Sequence, residues 1–167
     1  MRVYADVERG NWNVVVDLPP DEKRLLADYV LWPDLRAAFF RATLDNADHE
    51  EVESFLTQHG VLRPARDLRY RYALHLARAG KLDSFFTIYQ RFYQGMEDAR
   101  LDCLALRAEL AAGRQQRVVN RATDLWMVGE SQVKECDPVF AYLDDNHLLG
   151  PVDYAKRFDL AIKAREF

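Results

Sequence analysis

The sequence predicts an all-α fold: stacked antiparallel helical hairpins forming an α-α superhelix, a solenoid arc. Three observations carry that prediction. Apolar runs end at Gly60, Gly80, Gly113 and Gly129, and a glycine can close a helix in the left-handed conformation without a Cβ clash. Apolar residues recur at helical intervals: Val118, Ala122, Leu125 and Trp126 fall at i, i+4, i+7 and i+8, and Tyr154, Phe158, Ala161 and Ile162 repeat the pattern. Finally, Gly80 and Gly113 are 33 residues apart. Superimposing them sets Phe85, Phe86, Tyr89, Phe92 and Tyr93 on Val118, Val119, Ala122, Leu125 and Trp126, apolar on apolar at every pair. A period near that length is typical of TPR-like helical-hairpin repeats.

From the N-terminus, the residues from Met1 to Trp12 contain no apolar signal core. Val14-Val15-Val16 is a β-branched run, but it lies between a Gly-Asn turn and Pro19-Pro20, so no strand is expected. The breaks then sort the chain into four hairpins: 33–44 with 48–59, 63–79 with 81–94, 97–112 with 114–128, and 137–146 with 150–165. Helix starts agree with these breaks. Asp48 is a capping residue with Glu51 three positions on, and Asp137-Pro138 and Gly150-Pro151 place proline where a missing N–H costs nothing. Ala73 with Ala77, and Ala105 with Ala108, would let helices approach closely. One hairpin cannot bury its own apolar face, so neighbours stack. An irregular helical bundle is the alternative. Residues 1–167 are read as one domain.

The composition excludes several classes. With 49% hydrophobic and 30% charged residues over 167 positions, the chain is neither disordered nor too short for a core. A net charge of -4 disfavours a dedicated nucleic-acid binder. No apolar stretch reaches the roughly 18 residues of a membrane span. Cys103 and Cys136 are the two cysteines; by count alone they allow one disulfide or two free thiols.

No constellation for catalysis, a metal or a cofactor emerges. His49, His59, His75 and His147 are scattered, with no second ligand one helical turn away. The run Asp144-Asp145-Asn146-His147 is polar enough for a cation, but it reads better as a helix end in solvent. There is no Gly-rich phosphate loop and no nucleophile elbow. Arginine is the skewed residue, at 18 of 23 basic positions. Arg63, Arg66 and Arg69 step by three, as do Arg114 and Arg117 with Arg121 after them. Each trio is expected to line one helix side. These are solvated faces with acidic partners, or forks that contact an anionic or hydroxyl-rich polymer. Trp12, Trp32 and Trp126 suit core packing better than sugar stacking.

Several segments carry a family resemblance. Pro64-Ala65-Arg66-Asp67-Leu68-Arg69 running into Leu74-His75-Leu76-Ala77-Arg78 is similar to the "PAR-x-L … LAR" segment of soluble lytic murein transglycosylases. The stretch from Ala122 through Leu125-Trp126, Gly129 and Ser131-Gln132 to Cys136-Asp137 and Phe140 resembles that family's "LW-x-x-G-x-S-Q … CD-x-x-F" segment. Asp159 to Ala164 resembles the helix that follows, and Leu26 to Leu35 the entry to the first hairpins.

The resemblance implies the N-terminal end of a long superhelical domain. In the family that domain curves into a U, closes as a ring with a linker domain, and carries a lysozyme-like catalytic domain. The family enzyme cleaves the MurNAc–GlcNAc bond of peptidoglycan, leaving a 1,6-anhydro sugar, with one glutamate as acid and base. On this reading the chain is periplasmic. Set beside the family pattern, it is expected to lack the export signal and to end before the rest of the superhelix and before the catalytic domain. Glu130-Ser131 begins like the family's catalytic motif, but Gln132-Val133-Lys134 does not continue it, so no catalytic residue is assigned.

The resemblance also aligns Cys103 and Cys136 with the family's cysteine pair, implying a disulfide that would persist in the periplasm; two buried free thiols are the alternative. The implied role is a non-catalytic scaffold that guides glycan strands. No nucleic-acid partner and no cofactor are expected. A stand-alone helical-repeat interaction module is the alternative, and a self-contained enzyme is disfavoured. The terminal apolar face of Tyr154, Phe158 and Ile162 is expected to self-associate.

Overall fold

The computed structural model describes residues 2–165. Among them are eleven α-helices and no strand. They are α1 (Arg2–Glu8), α2 (Asn13–Val16), α3 (Pro20–Ala27), α4 (Trp32–Thr43), α5 (His49–His59), α6 (Ala65–Arg78), α7 (Leu82–Phe92), α8 (Ala99–Ala111), α9 (Gln115–Trp126), α10 (Asp137–Asp145) and α11 (Pro151–Arg165). The Val14-Val15-Val16 run lies in the short helix α2, with Val15 buried. The chain divides into two compact units, one ending at His75 and one beginning at Leu76.

In the first unit, α4 and α5 form the hairpin expected over 33–44 and 48–59. The Asp48 carboxylate accepts hydrogen bonds from the backbone N–H groups of Glu50 and Glu51, at 2.7 and 3.2 Å, and so starts α5 as the sequence implied. The core of this unit contains Leu35, Phe40, Val52, Leu56, Leu68 and Tyr72. Phe40 and Phe55 meet with ring centroids 5.5 Å apart.

In the second unit the 33-residue period is structural. Gly80 and Gly113 take φ of +73° and +74°. After each, the next N–H bonds the carbonyl five residues back, Lys81 to Leu76 and Arg114 to Glu109, both at 2.9 Å. The superimposed pairs then share their burial. Phe85 and Val118, Tyr89 and Ala122, and Tyr93 and Trp126 are all buried, while Phe86 with Val119 and Phe92 with Leu125 are half-buried. The same turn ends α10: His147 has φ +55°, and the Leu148 N–H bonds the Leu143 carbonyl at 2.9 Å. A histidine here bears the steric cost that glycine avoids. It also settles the Asp144–His147 run as a helix terminus.

Two other glycines depart from expectation. Gly60 keeps a right-handed φ of -60°. Gly129 is not left-handed either. It is needed for close approach, since a Cβ there would lie 2.5 Å from the Leu160 carbonyl oxygen of α11. Apolar spacing marked where these helices stop, but a passing backbone is what requires glycine at 129.

Cys103 and Cys136 form a disulfide, with Cα atoms 4.9 Å apart. Cys103 lies inside α8, and Cys136 closes a 3-10 turn, Lys134–Cys136. Asp137 is the first residue of α10 and Cys136 its N-cap. The bond encloses the whole of α9. Around α9 sit Leu106 of α8 and Val139 and Leu143 of α10, packed with Val118, Ala122 and Trp126.

Candidate polymer-contacting site

The two arginine trios do not form two uniform faces. In the first unit, Arg63 precedes α6 and lines a cleft of about 730 Å³ with Trp12, Asp34 and Arg41. Arg66 is exposed on the first turn of α6. Arg69 is buried at 9% exposure, and its Nη1 donates to the Gly60 carbonyl at 2.6 Å. It therefore satisfies a carbonyl left over at the end of α5, where a cation also meets the negative end of the helix dipole. A three-residue step places side chains on one side of a helix, but helix packing decides which of them reach water.

In the second unit, Arg114 sits at the N-cap of α9 with its guanidinium 5.3 Å from the Phe86 ring centroid. Arg117 is exposed. Arg121 reaches inward, and its Nη2 donates to the Tyr89 hydroxyl at 2.8 Å and lies 3.8 Å from Asp102. The Tyr89 hydroxyl in turn donates to Asp102 at 2.5 Å. Burial, and then the hydrogen bond to the Asp102 carboxylate, push the Tyr89 phenol up to about 12, against the opposing pull of Arg121. This network borders a cleft of about 460 Å³ whose rim includes Gln94, Glu97, Asp124 and Leu125. Sequence reasoning placed Arg121 in an exposed row and missed its partners, because Tyr89 and Asp102 lie on other helices.

The histidines are less scattered than the sequence suggested. His49 at the start of α5 and His75 on α6 bring their ring centroids within 5.8 Å. His75 Nδ1 lies 3.4 Å from Asp45, and the Tyr72 hydroxyl contacts His49 Nδ1 at 3.4 Å and donates to Glu53 at 3.2 Å. Burial, followed by the Glu53 charge, raises the Tyr72 phenol pKa. No set of three or more His, Cys, Asp or Glu side chains among the described residues converges on a metal position. Among the tryptophans, Trp126 is core at 4% exposure, while Trp12 and Trp32 are half-buried. Glu130 is exposed and follows α9.

The architecture defines a class: consecutive helices in hairpins, with one disulfide and with arginines spent partly on packing and partly on open clefts. No protein-family model matches the chain. Curated relatives do match. The chain is 28% identical to a soluble lytic murein transglycosylase of Salmonella typhimurium, and 27% identical to one of Escherichia coli, over 96% of its own length. It spans about a quarter of the length of these relatives, 24% in each case. Solved structures agree. The lytic transglycosylase Slt of Pseudomonas aeruginosa aligns with TM-score 0.78 and 29% identity over 99% of this chain and 26% of that one. The 70 kDa soluble lytic transglycosylase of Escherichia coli aligns with TM-score 0.76 and 26% identity over 96% of this chain and 26% of that one. The resemblance read from the motifs is thus carried by homology along nearly the whole chain, and the matching region of the solved enzyme is its helical superhelix.

Proposed function

We propose that this chain is a non-catalytic superhelical segment of a periplasmic lytic transglycosylase, which holds and guides murein strands for cleavage of the MurNAc–GlcNAc bond by a catalytic part outside the segment. The supporting observation is alignment from end to end with about a quarter of enzymes named for murein cleavage, at a TM-score of 0.78 in the best-fitting case quoted. The arginines that suit polymer contact are Arg63, Arg66, Arg117 and Arg121, which are exposed or border clefts. Arg69 and Arg114 are committed to packing.

The test is co-sedimentation of the purified chain with murein sacculi. The expected result is binding that falls when Arg63, Arg66 and Arg117 are changed together to Ala and persists in Arg114→Ala, with no clearing of a murein zymogram. Failure of the wild type to sediment removes direct contact; clearing of the zymogram overturns the non-catalytic assignment.

A second reading, self-association through the exposed C-terminal hairpin, is favoured by one observation: Tyr154, Phe158 and Ile162 of α11 are 48%, 66% and 45% exposed. Light scattering at high concentration checks it. A dimer that Phe158→Asp dissociates supports this reading; a monomer throughout dismisses it.

A further inference from the structure

A second cleft, wholly within the first unit and about 570 Å³ in volume, plays no part in the arginine pattern read from the sequence. Its size falls within the roughly 300–1,000 Å³ of small-ligand sites. Val15 and Phe55, 1% and 7% exposed, contribute its apolar surface. Its charges come from different helices: cations from α3 and α4 (Lys23 and Arg36), acids from α5 (Glu50 and Glu51).

Arg36 is the organising group. Its guanidinium carbon lies 4.4 Å from the ring centroid of Phe40, 5.6 Å from Phe39 and 5.8 Å from Trp32. These rings confine a long side chain that otherwise loses much rotamer freedom on binding. Among the described residues the fork makes one hydrogen bond, from Nη2 to Glu51 at 3.3 Å, beyond the usual charge-assisted length. A guanidinium has five N–H donors suited to bidentate carboxylates, so a confined fork at a cleft is ready for a second carboxylate. Lys23, tethered by Nζ donation to the Val16 carbonyl at 3.0 Å, adds a cation on the same lining. Across from it, Glu50, Ser54 and Gln58 recur every four residues on one face of α5. The formal charges of Lys23, Arg36, Glu50 and Glu51 cancel. Arg36 and Glu51 are paired, which leaves Lys23 and Glu50 as one cation and one acid without that partner on the same lining, and a balanced cleft of this kind favours a ligand that carries both signs.

We propose that this cleft binds a zwitterionic short peptide, its carboxylate against Arg36 and Lys23 and its ammonium against Glu50. The assignment stands on the cleft's own chemistry and does not need the murein reading.

The test is an NMR titration of the 15N-labelled chain with trialanine, with trialanine amidated at its C-terminus, with trialanine acetylated at its N-terminus, and with a trisaccharide of N-acetylglucosamine. Free trialanine should cause saturable shifts confined to residues 15–23, 32–36 and 50–59, and loss of either terminal charge should weaken binding by about tenfold. Because Arg36→Gln disturbs an aromatic stack, the exposed variants decide. Lys23→Gln should weaken the free and acetylated peptides and leave the amidated one unchanged; Glu50→Gln should weaken the free and amidated peptides and leave the acetylated one unchanged. The proposal is overturned by the absence of saturable shifts, by equal affinity for all three peptides, or by binding of the trisaccharide in place of trialanine.

Discussion

Helices α9 and α11 have the same apolar intervals and opposite surroundings. In α9, Val118, Ala122 and Trp126 are 0%, 0% and 4% exposed. At the corresponding intervals in α11, Tyr154, Phe158 and Ile162 are largely exposed. The difference comes from neighbours. α9 lies between α8 and α10 and inside the loop closed by Cys103–Cys136. α11 meets its predecessors through contacts that include the Gly129 backbone, an edge contact from Tyr154 to Trp126 at 5.1 Å, and Arg157 over Trp126 at 4.4 Å. A period of 3.6 residues specifies a helix with an apolar stripe; whether the stripe is buried depends on a second element arriving to cover it.

The comparison breaks most sharply on paired truncations. Trp126→Ala should cost about 3–5 kcal/mol, as large-to-small changes in a packed core do, whereas Phe158→Ala should stay within about 0.5 kcal/mol, as for an exposed site. Urea unfolding of the two variants checks this, and equal losses would mean that α11 is covered in solution. Replacing both cysteines by Ser reopens the loop around α9 and should cost about 3–4 kcal/mol in the chain-entropy model. The expected readout is a lower urea midpoint, together with faster amide exchange in α9.

Gly129→Ala acts on the seat of α11. The new methyl meets the Leu160 backbone, so the helix must shift, at a cost of about 1–3 kcal/mol. Amide exchange should quicken in α11 and stay unchanged in α9.

The smallest effect separates two tyrosine–aspartate bonds. Tyr89, held with Asp102 and Arg121 of α9, is buried; Tyr154 of α11 donates to Asp144 in an exposed setting, and that bond raises its phenol pKa. The Tyr89 phenol is pushed up to about 12 in the folded chain from its ordinary value of 10.0, so between these values the unfolded chain holds fewer protons and stability falls as pH rises. Tyr89→Phe should cost about 1 kcal/mol at neutral pH and flatten that alkaline decline. An unchanged slope between pH 10 and 12 would remove Tyr89 from the network.

Much of this was legible beforehand for physical reasons. Helix limits follow from short-range chemistry: the Asp48 cap, Pro151 in the first turn of α11, and the left-handed turns at Gly80 and Gly113. The terminal apolar face was legible as an excess of large side chains over available partners. The His49–His75 approach, the inward turn of Arg121 and the burial of Arg69 were not, since each depends on an atom supplied by a distant helix. The Asp144–His147 run was legible as a helix end, but the left-handed state of His147, with φ +55°, shows only in the folded backbone, because no glycine marks it.

By itself, then, the sequence determined where helices start and stop, their 33-residue repetition, and the family whose motifs they carry, because caps, glycines and apolar intervals act over a few residues of chain. Tertiary structure alone decided which arginines are spent on packing, why Gly129 must lack a side chain, and that Arg36 lies against three aromatic rings at the edge of a charge-balanced cleft. Those outcomes depend on which surfaces meet, and a side chain's solvent, partner and charge are properties of the meeting rather than of the residue.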